Sequence, residues 1–189
     1  MRQYYNQVNE RELIQLLCER DEPTFKQMVN QYRNKVFGTV YNMLNDREES
    51  EDTTQEVFIQ VFESISSFKQ ESSLSTWIYR IAVRKALDKI RRRKTRKKLQ
   101  QWLPWWMPQE KKAETGNHPG TEAESRENIS MLYKAMNTLP ERQKIALTLV
   151  KIQGMSYEEA GGIMQVGIKA LESLVSRGKE NLEKKLKQS

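Results

Sequence analysis

Apolar side chains recur along this chain every three or four residues, the spacing that gathers them onto one side of an α-helix. In residues 23–44 they fall at Phe25, Val29, Tyr32, Val36 and Val40, with Pro23 suited to the first turn. Asp46 then offers an N-cap, and Glu49 three positions on is its capping-box partner. The helix that follows puts Val57, Phe58, Val61, Phe62 and Ile65 on one side. Its other side collects Glu48, Glu49, Glu51, Asp52, Gln55 and Glu56. The polar run FKQESSLS breaks the period and reads as a loop. Ser75 caps the next helix, TWIYRIAVRKALDKIRRRK, whose inward face is Trp77, Ile81, Ala82 and Leu87.

From about Leu99 the period fails, and Pro104, Pro108, Gly116, Pro119 and Gly120 mark a linker to about Glu127. From Ile129 the chain is helical again. Pro140 opens a helix with Ile145, Leu149 and Ile152 inward, which Gly154 ends. Ser156 and Glu159 form the capping box of a short helix burying Tyr157, Ala160, Ile163 and Met164. A tight turn at Gln165–Gly167 leads to a third helix with Ile168, Leu171, Val175 and Leu182 inward. Two short helices joined by a three-residue turn make a helix-turn-helix, whose second helix enters the major groove of DNA. The outward residues of that helix are Lys169, Glu172, Ser173, Ser176 and Arg177. They can donate to guanine or phosphate, accept from cytosine, or do either. The plain alternative is the solvent face of a three-helix packing unit.

Periodicity therefore predicts an all-α protein of two small helical domains joined by a flexible linker, with bounds 1–98, 99–128 and 129–189. The 189 residues and 37% hydrophobic content suit two compact cores rather than one large one. No apolar run reaches bilayer length and the N-terminus lacks a signal-peptide core, so the expected location is cytoplasmic. One cysteine, Cys18, expected in the core, and one histidine, His118, make an internal disulfide impossible and disfavour a zinc site. No cofactor or metal is expected. The acids at 46–56 lack any nearby histidine or glycine-rich loop, so an enzyme is disfavoured.

Charge changes the picture most. Residues 1–75 hold 8 basic and 13 acidic side chains, residues 76–98 hold 11 and 1, and residues 99–189 hold 13 and 11. Eleven cations in one helical stretch repel one another without a polyanion, which points to nucleic acid. A stand-alone helix-turn-helix regulator meets that requirement but leaves the acidic helix face unexplained.

Three runs in order carry a more specific likeness: EDTTQEVFIQVF, then FKQESSLSTWIYRIAVRKALD, then LPERQKIALTL with MSYEEAGGIM and KALESLVSRGKENL. With these the chain resembles a bacterial RNA polymerase sigma factor of the extracytoplasmic-function group of the primary-type sigma family, over about residues 8–98 and 130–186. The resemblance implies a non-enzymatic subunit that binds core RNA polymerase and directs initiation at −10 and −35 promoter elements. It implies that Glu49, Asp52, Gln55 and Glu56 dock on the polymerase clamp coiled coil, and that the polymerase flap is a further contact. Contact with −10 DNA falls to Lys69, Glu71, Ser72, Ser73, Leu74, Trp77, Arg80, Arg84, Lys85, Arg91 and Arg92, with the RRRK run at 91–94 on phosphates. Trp77 has two readings, stacking on DNA or packing in the core. Lys169, Glu172, Ser173, Ser176 and Arg177 fall on the −35 element. The family further implies an anti-sigma factor, often membrane-anchored.

Some positions depart from the family pattern. Arg84 stands where asparagine is common, favouring phosphate over base contact. Gly161 and Gly162 lie inside a helix, where each costs roughly 1 kcal/mol, so that helix is frayed or tightly packed on a neighbour. Gly178 weakens the recognition helix. The uncharged stretch QWLPWWMP holds Trp102, Trp105 and Trp106. Three surfaces fit it: the N-terminal domain, the polymerase or an inhibitory partner, and a membrane surface.

Overall fold

The computed structural model describes residues 10–102 and 123–187, and side chains within 10–96 and 130–187. QWLPWWMP and His118 therefore lie outside the described side chains. The N-terminal half contains α1 (Glu10–Cys18), α2 (Glu22–Leu44), α3 (Arg47–Ser64) and α4 (Leu74–Trp102), with a 3₁₀ turn, Ile65–Ser67, closing α3. Asp21 starts α2 by accepting from Thr24 N at 2.9 Å, and these contacts with Thr24 hold its carboxyl below the usual range. Asn45 stops α2 in the left-handed conformation at φ 51°, and Asp46 restarts the chain by accepting from Glu49 N at 3.0 Å. The reciprocal arm of the expected capping box is absent, because the Glu49 carboxylate turns to Arg93 at 2.7 Å.

Packing of α2, α3 and α4 centres on Val36, Val40, Val57, Val61, Ile78 and Ala82, each with no exposed surface. Burying a valine or isoleucine of this kind stabilises by about 1.5–3 kcal/mol. The inward face of α4 differs from the expected one. Leu74, Ile78, Tyr79, Ala82, Val83 and Ala86 are buried, whereas Trp77, Ile81 and Leu87 are half-buried on a second apolar strip. Two strips exist because α4 is covered on one side by α2 and α3 and on another by α7. The helix also starts earlier than expected. Ser73, not Ser75, caps it through Thr76 N at 3.2 Å, and Glu10 Oε1 accepts from Leu74 N at 2.7 Å. A carboxylate is favourable at that helix end. Cys18 departs from its expected core position: it is exposed at the end of α1, where Ile14 and Leu17 take the inward phase.

The C-terminal half contains α5 (Ala123–Thr138), α6 (Glu141–Leu147), α7 (Tyr157–Met164) and α8 (Ile168–Leu186). A wide π turn, Thr148–Ile152, extends α6. Its slower winding slips the phase, so Ile152 points out with 44% exposure while Ile145 and Leu149 stay buried. Ile168, expected inward, is also exposed, and α8 packs through Leu171 and Val175. Both halves of the Ser156–Glu159 capping box are formed. The glycines have packing roles. A Cβ at Gly178 would lie 3.1 Å from the Leu147 side chain, so its absence lets α6 approach α8. A Cβ at Gly161 would lie 3.0 Å from the Val166 carbonyl, in the turn between α7 and α8.

The two halves touch. Tyr133 Oη donates to Asn42 Oδ1 at 2.6 Å, and Lys144 Nζ donates to Met43 O at 2.6 Å and Asn137 Oδ1 at 2.5 Å. Burial, then the neighbouring charges of Arg93 and Lys94, lowers the Lys144 ammonium to about 8. Between that value and the ordinary lysine range the unfolded chain binds more protons than the folded one, so stability rises with pH there. Urea unfolding is expected to show a gain of about 1–2 kcal/mol from pH 7.5 to 9.5 relative to Lys144→Met. Equal pH slopes in the two proteins would refute this assignment.

Candidate nucleic-acid interface

Helix α3 sets one expected face. Its apolar side is spent in the core, so Glu48, Glu51, Asp52 and Gln55 stand exposed opposite it. Asp52 and Gln55 make no side-chain ion pair or hydrogen bond among the described residues. Glu49 and Glu56, placed on the same surface by sequence reasoning, are instead drawn to α4. Glu56 meets Lys89 at 3.0 Å and Lys85 at 3.6 Å. Partial burial pushes the Glu56 carboxyl up, but its hydrogen bonds and charge contacts with Lys89 and Lys85 outweigh that and leave it below the usual range. Ile59, one turn beyond Gln55, is 57% exposed and adds an apolar spot to the acidic stripe. Periodicity placed Ile59 on neither face, and its only sequence signal is its four-residue step from Gln55.

Helix α4 carries the cations, and the structure divides their work. Arg84, Arg91 and Arg92 are exposed, with Arg84 and Arg92 on the wall of a groove of about 560 Å³ between α3 and α4. Trp77, Gln60 and Lys85 line the same groove. Arg93 does different work from its neighbours in the RRRK run. It donates to Leu44 O at 3.0 Å and pairs with Asp46 at 3.2 Å and with Glu49, so it ties the end of α2 to the start of α3. A cation at a helix C-terminus is favourable. Lys94 pairs with Glu141 at 2.6 Å and Arg80 Nε donates to Gly162 O at 2.9 Å, so both reach the C-terminal half.

The loop before α4 presents Lys69 and Glu71 to solvent, with Ser72 half-buried. Ser73 is occupied by its capping bonds to Thr76, and Leu74 is only 1% exposed, so its side chain anchors the loop and faces no ligand. Trp77 is half-buried. One part packs on Phe68, with ring centroids 5.0 Å apart, and the rest lines the groove. Phe68 and Trp77 thus pin the two ends of the loop together.

On α8, Lys169, Glu172, Ser176 and Arg177 are exposed along one side and Ser173 is half-buried beside them. Leu171 and Val175 hold the opposite side in the core, and Asn181 Nδ2 donates to Gln143 Oε1 at 2.9 Å, fixing α8 on α6. A long helix so held presents its outer face as a rigid edge of suitable chemistry for a DNA groove. Among the described residues no helix is long and apolar enough to cross a membrane.

Comparison with known proteins bears on these faces. The Sigma-70 region 2 family matches residues 28–96, and the Sigma-70, region 4 family matches residues 129–182. The chain is 30% identical over 186 residues to the ECF RNA polymerase sigma-E factor of Haemophilus influenzae, covering 95% of this chain and 96% of that protein. It is 28% identical over 189 residues to the RNA polymerase sigma-H factor of Pseudomonas aeruginosa, covering 95% of each. In fold it is similar to CnrH in complex with the cytosolic domain of CnrY, with TM-score 0.71, 17% identity, and coverage of 95% of this chain and 98% of that one. It is also similar to the sigma factor RpoE in complex with the anti-sigma factor NepR from Bartonella quintana, with TM-score 0.64, 23% identity, and coverage of 86% and 96%.

Proposed function

Since the chain belongs to the extracytoplasmic-function group of the sigma-70 family, whose members bind core RNA polymerase and direct promoter-specific initiation, we propose that three faces of this fold divide that work. The exposed stripe of α3, centred on Asp52, Gln55 and Ile59, docks on the polymerase clamp. Arg84, Arg91, Arg92, Trp77 and the loop at Lys69–Ser73 serve the −10 element. The outer face of α8 serves the −35 element. Residues 1–98 form the first functional domain and residues 129–189 the second. No bond chemistry is assigned to the chain.

One observation carries this reading: only some acids of α3 are spent on the cations of α4, and the rest stay exposed on its outer side. Glu49 and Glu56 neutralise the inner edge of α4, while Asp52 and Gln55 remain free on the far side of α3. A protein that only bound DNA would gain nothing from an exposed acidic stripe, which repels phosphate. A protein that must also hold a basic coiled coil needs one. The purified chain is expected to co-elute with bacterial core RNA polymerase. A folded chain that elutes alone would refute the docking assignment.

Control by an anti-sigma factor belongs to the same proposal. A groove of about 740 Å³ runs between α4, α6 and α7, with Arg80, Arg91 and Arg142 beside Ile81, Ile145 and Ile163. This combination suits an acidic amphipathic segment. An occupant there would cover the −10 side of α4.

A further inference from the structure

Residues 76–98 hold eleven cations and a single acid, Asp88. A carboxylate in a helix that meets phosphates weakens the attraction, so its presence needs a reason. Asp88 lines the groove of about 560 Å³ between α3 and α4, whose other charged residues are Glu56, Arg84, Lys85, Lys89 and Arg92. Three of those are spent on one another, since Glu56 pairs with both lysines. The groups left over, Arg84, Asp88 and Arg92, stand at i, i+4 and i+8, in line along one side of α4. Arg84 and Arg92 are exposed and make no ion pair or hydrogen bond among the described residues. Asp88 meets Arg91 at 3.7 Å with both side chains open to water, a contact weak enough for a ligand to replace.

We propose that this line of three selects one unpaired guanine in the single strand of the −10 element, with Asp88 as its specificity-determining residue. The place of that guanine in a promoter strand rests on the assignment of α4 given above; the match to guanine rests on chemistry alone. An ionised carboxylate only accepts hydrogen bonds, through two oxygens side by side. Among the DNA bases, guanine alone sets two donors next to each other on its pairing edge, N1–H and N2–H. Both come free once the base leaves the stack. Cytosine and adenine offer a carboxylate one amino group there, and thymine one ring N–H.

Guanine also presents the acceptors O6 and N7, to which an arginine donates as a fork. Arg84, one turn before Asp88, has that fork, and Arg92, one turn after, is left for the adjoining phosphate. Sequence alone gave Arg84 to phosphate; its place beside Asp88 gives it a base edge as well. Ile81 and Trp77, earlier on α4, supply an apolar wall of the same groove for the ring. The lining comes from α3, α4 and the turn between them, so the groove is complete within the N-terminal half.

The plain alternative is that Asp88 only offsets repulsion among the cations around it. Fluorescence anisotropy of the full-length chain assembled with core polymerase separates the two. The probe is a thymine single strand carrying one guanine, moved through the positions of the −10 element. The parent is expected to prefer the guanine strand at one position by on the order of tenfold. Inosine, which lacks the N2 amino group, is expected to lose most of that preference. Asp88→Asn is expected to bind guanine, inosine and thymine strands alike, with thymine binding undiminished because a repulsion for phosphate is gone. Arg84→Lys keeps the charge and loses the fork. It is expected to treat guanine and 7-deazaguanine alike while still separating guanine from inosine.

Equal affinity of the parent for guanine and thymine strands, or a preference that Asp88→Asn retains, would overturn the proposal and leave α4 on the −10 element. An equal loss on every strand in Asp88→Asn would also overturn it, in favour of charge balance. If the assembly binds no single strand at all, the assignment of α4 falls and the guanine contact falls with it. Guanosine monophosphate is expected not to displace the strand, because it lacks the further phosphates that α4 holds. Displacement by it would keep the match to guanine and overturn the strand as its source.

Discussion

Replacing Asp52 and Gln55 together by lysine is expected to weaken binding to core RNA polymerase a hundredfold or more and to leave the fold intact. Both residues are exposed on α3 and hold no side-chain partner among the described residues, so their removal breaks nothing inside the chain. Two lysines would instead face a basic coiled coil, and like charges set together at an interface cost several kcal/mol. At about 1.4 kcal/mol per factor of ten, the expected loss is at least two decades. Co-elution and unfolding by urea separate the possibilities. Lost co-elution with an unchanged unfolding midpoint is the expected result, and undiminished co-elution would remove α3 from the docking surface. The same change at Glu56 would be less informative. That carboxylate also neutralises Lys85 and Lys89, so its loss would disturb α4 as well.

A second large effect is expected from Leu171→Ala. Leu171 has no exposed surface and sits where α8 packs against the rest of the helix-turn-helix. Truncating a buried leucine costs roughly 3–4 kcal/mol through lost burial and an unfilled cavity, a large part of the 5–15 kcal/mol that holds an ordinary domain together. The outer face of α8 would no longer be held as a rigid edge, so binding to −35 duplex DNA should collapse. Polymerase docking through α3 should fall much less, because α3 is held chiefly by α2 and α4 rather than by α8. A variant that unfolds at the parent's urea concentration and still binds duplex would show that α8 is held by something other than this packing.

Much of the fold was legible in local sequence. Asp46 and Ser156 start helices through bonds that span three residues, so neighbours in sequence were enough to place them, and the bonds of Asp21 and Asn45 that start and stop α2 are as local. The same is true of the outward side of α8, where Leu171 and Val175 set the phase. The face of α4 was misread for a definite reason. Hydrophobic period reports that a residue is covered but not by what, and a helix covered on two sides shows a broad stripe whose centre falls between two faces. Trp77, Ile81 and Leu87 belong to the second face. The π turn after Leu147 likewise shifted Ile152, since a period of 3.6 was carried through a segment that winds more slowly.

Charge shows the division most sharply. The sequence by itself determined most of the helices, the caps at Asp46 and Ser156, the acidic side of α3, the basic length of α4 and the turn before α8, because each depends on propensity or on contacts a few residues long. Which charges remain free was decided only by tertiary structure. Arg93 reaches Leu44 across 49 positions, Lys144 reaches Met43 across 101, and Arg80 reaches Gly162 across 82. Nothing local distinguishes Arg93 from Arg92, or Gly162 from any helix-weakening glycine. A side chain's partner is set by how whole helices pack, and that packing turned a run of like cations into one structural tie, one bridge between the halves and an exposed edge.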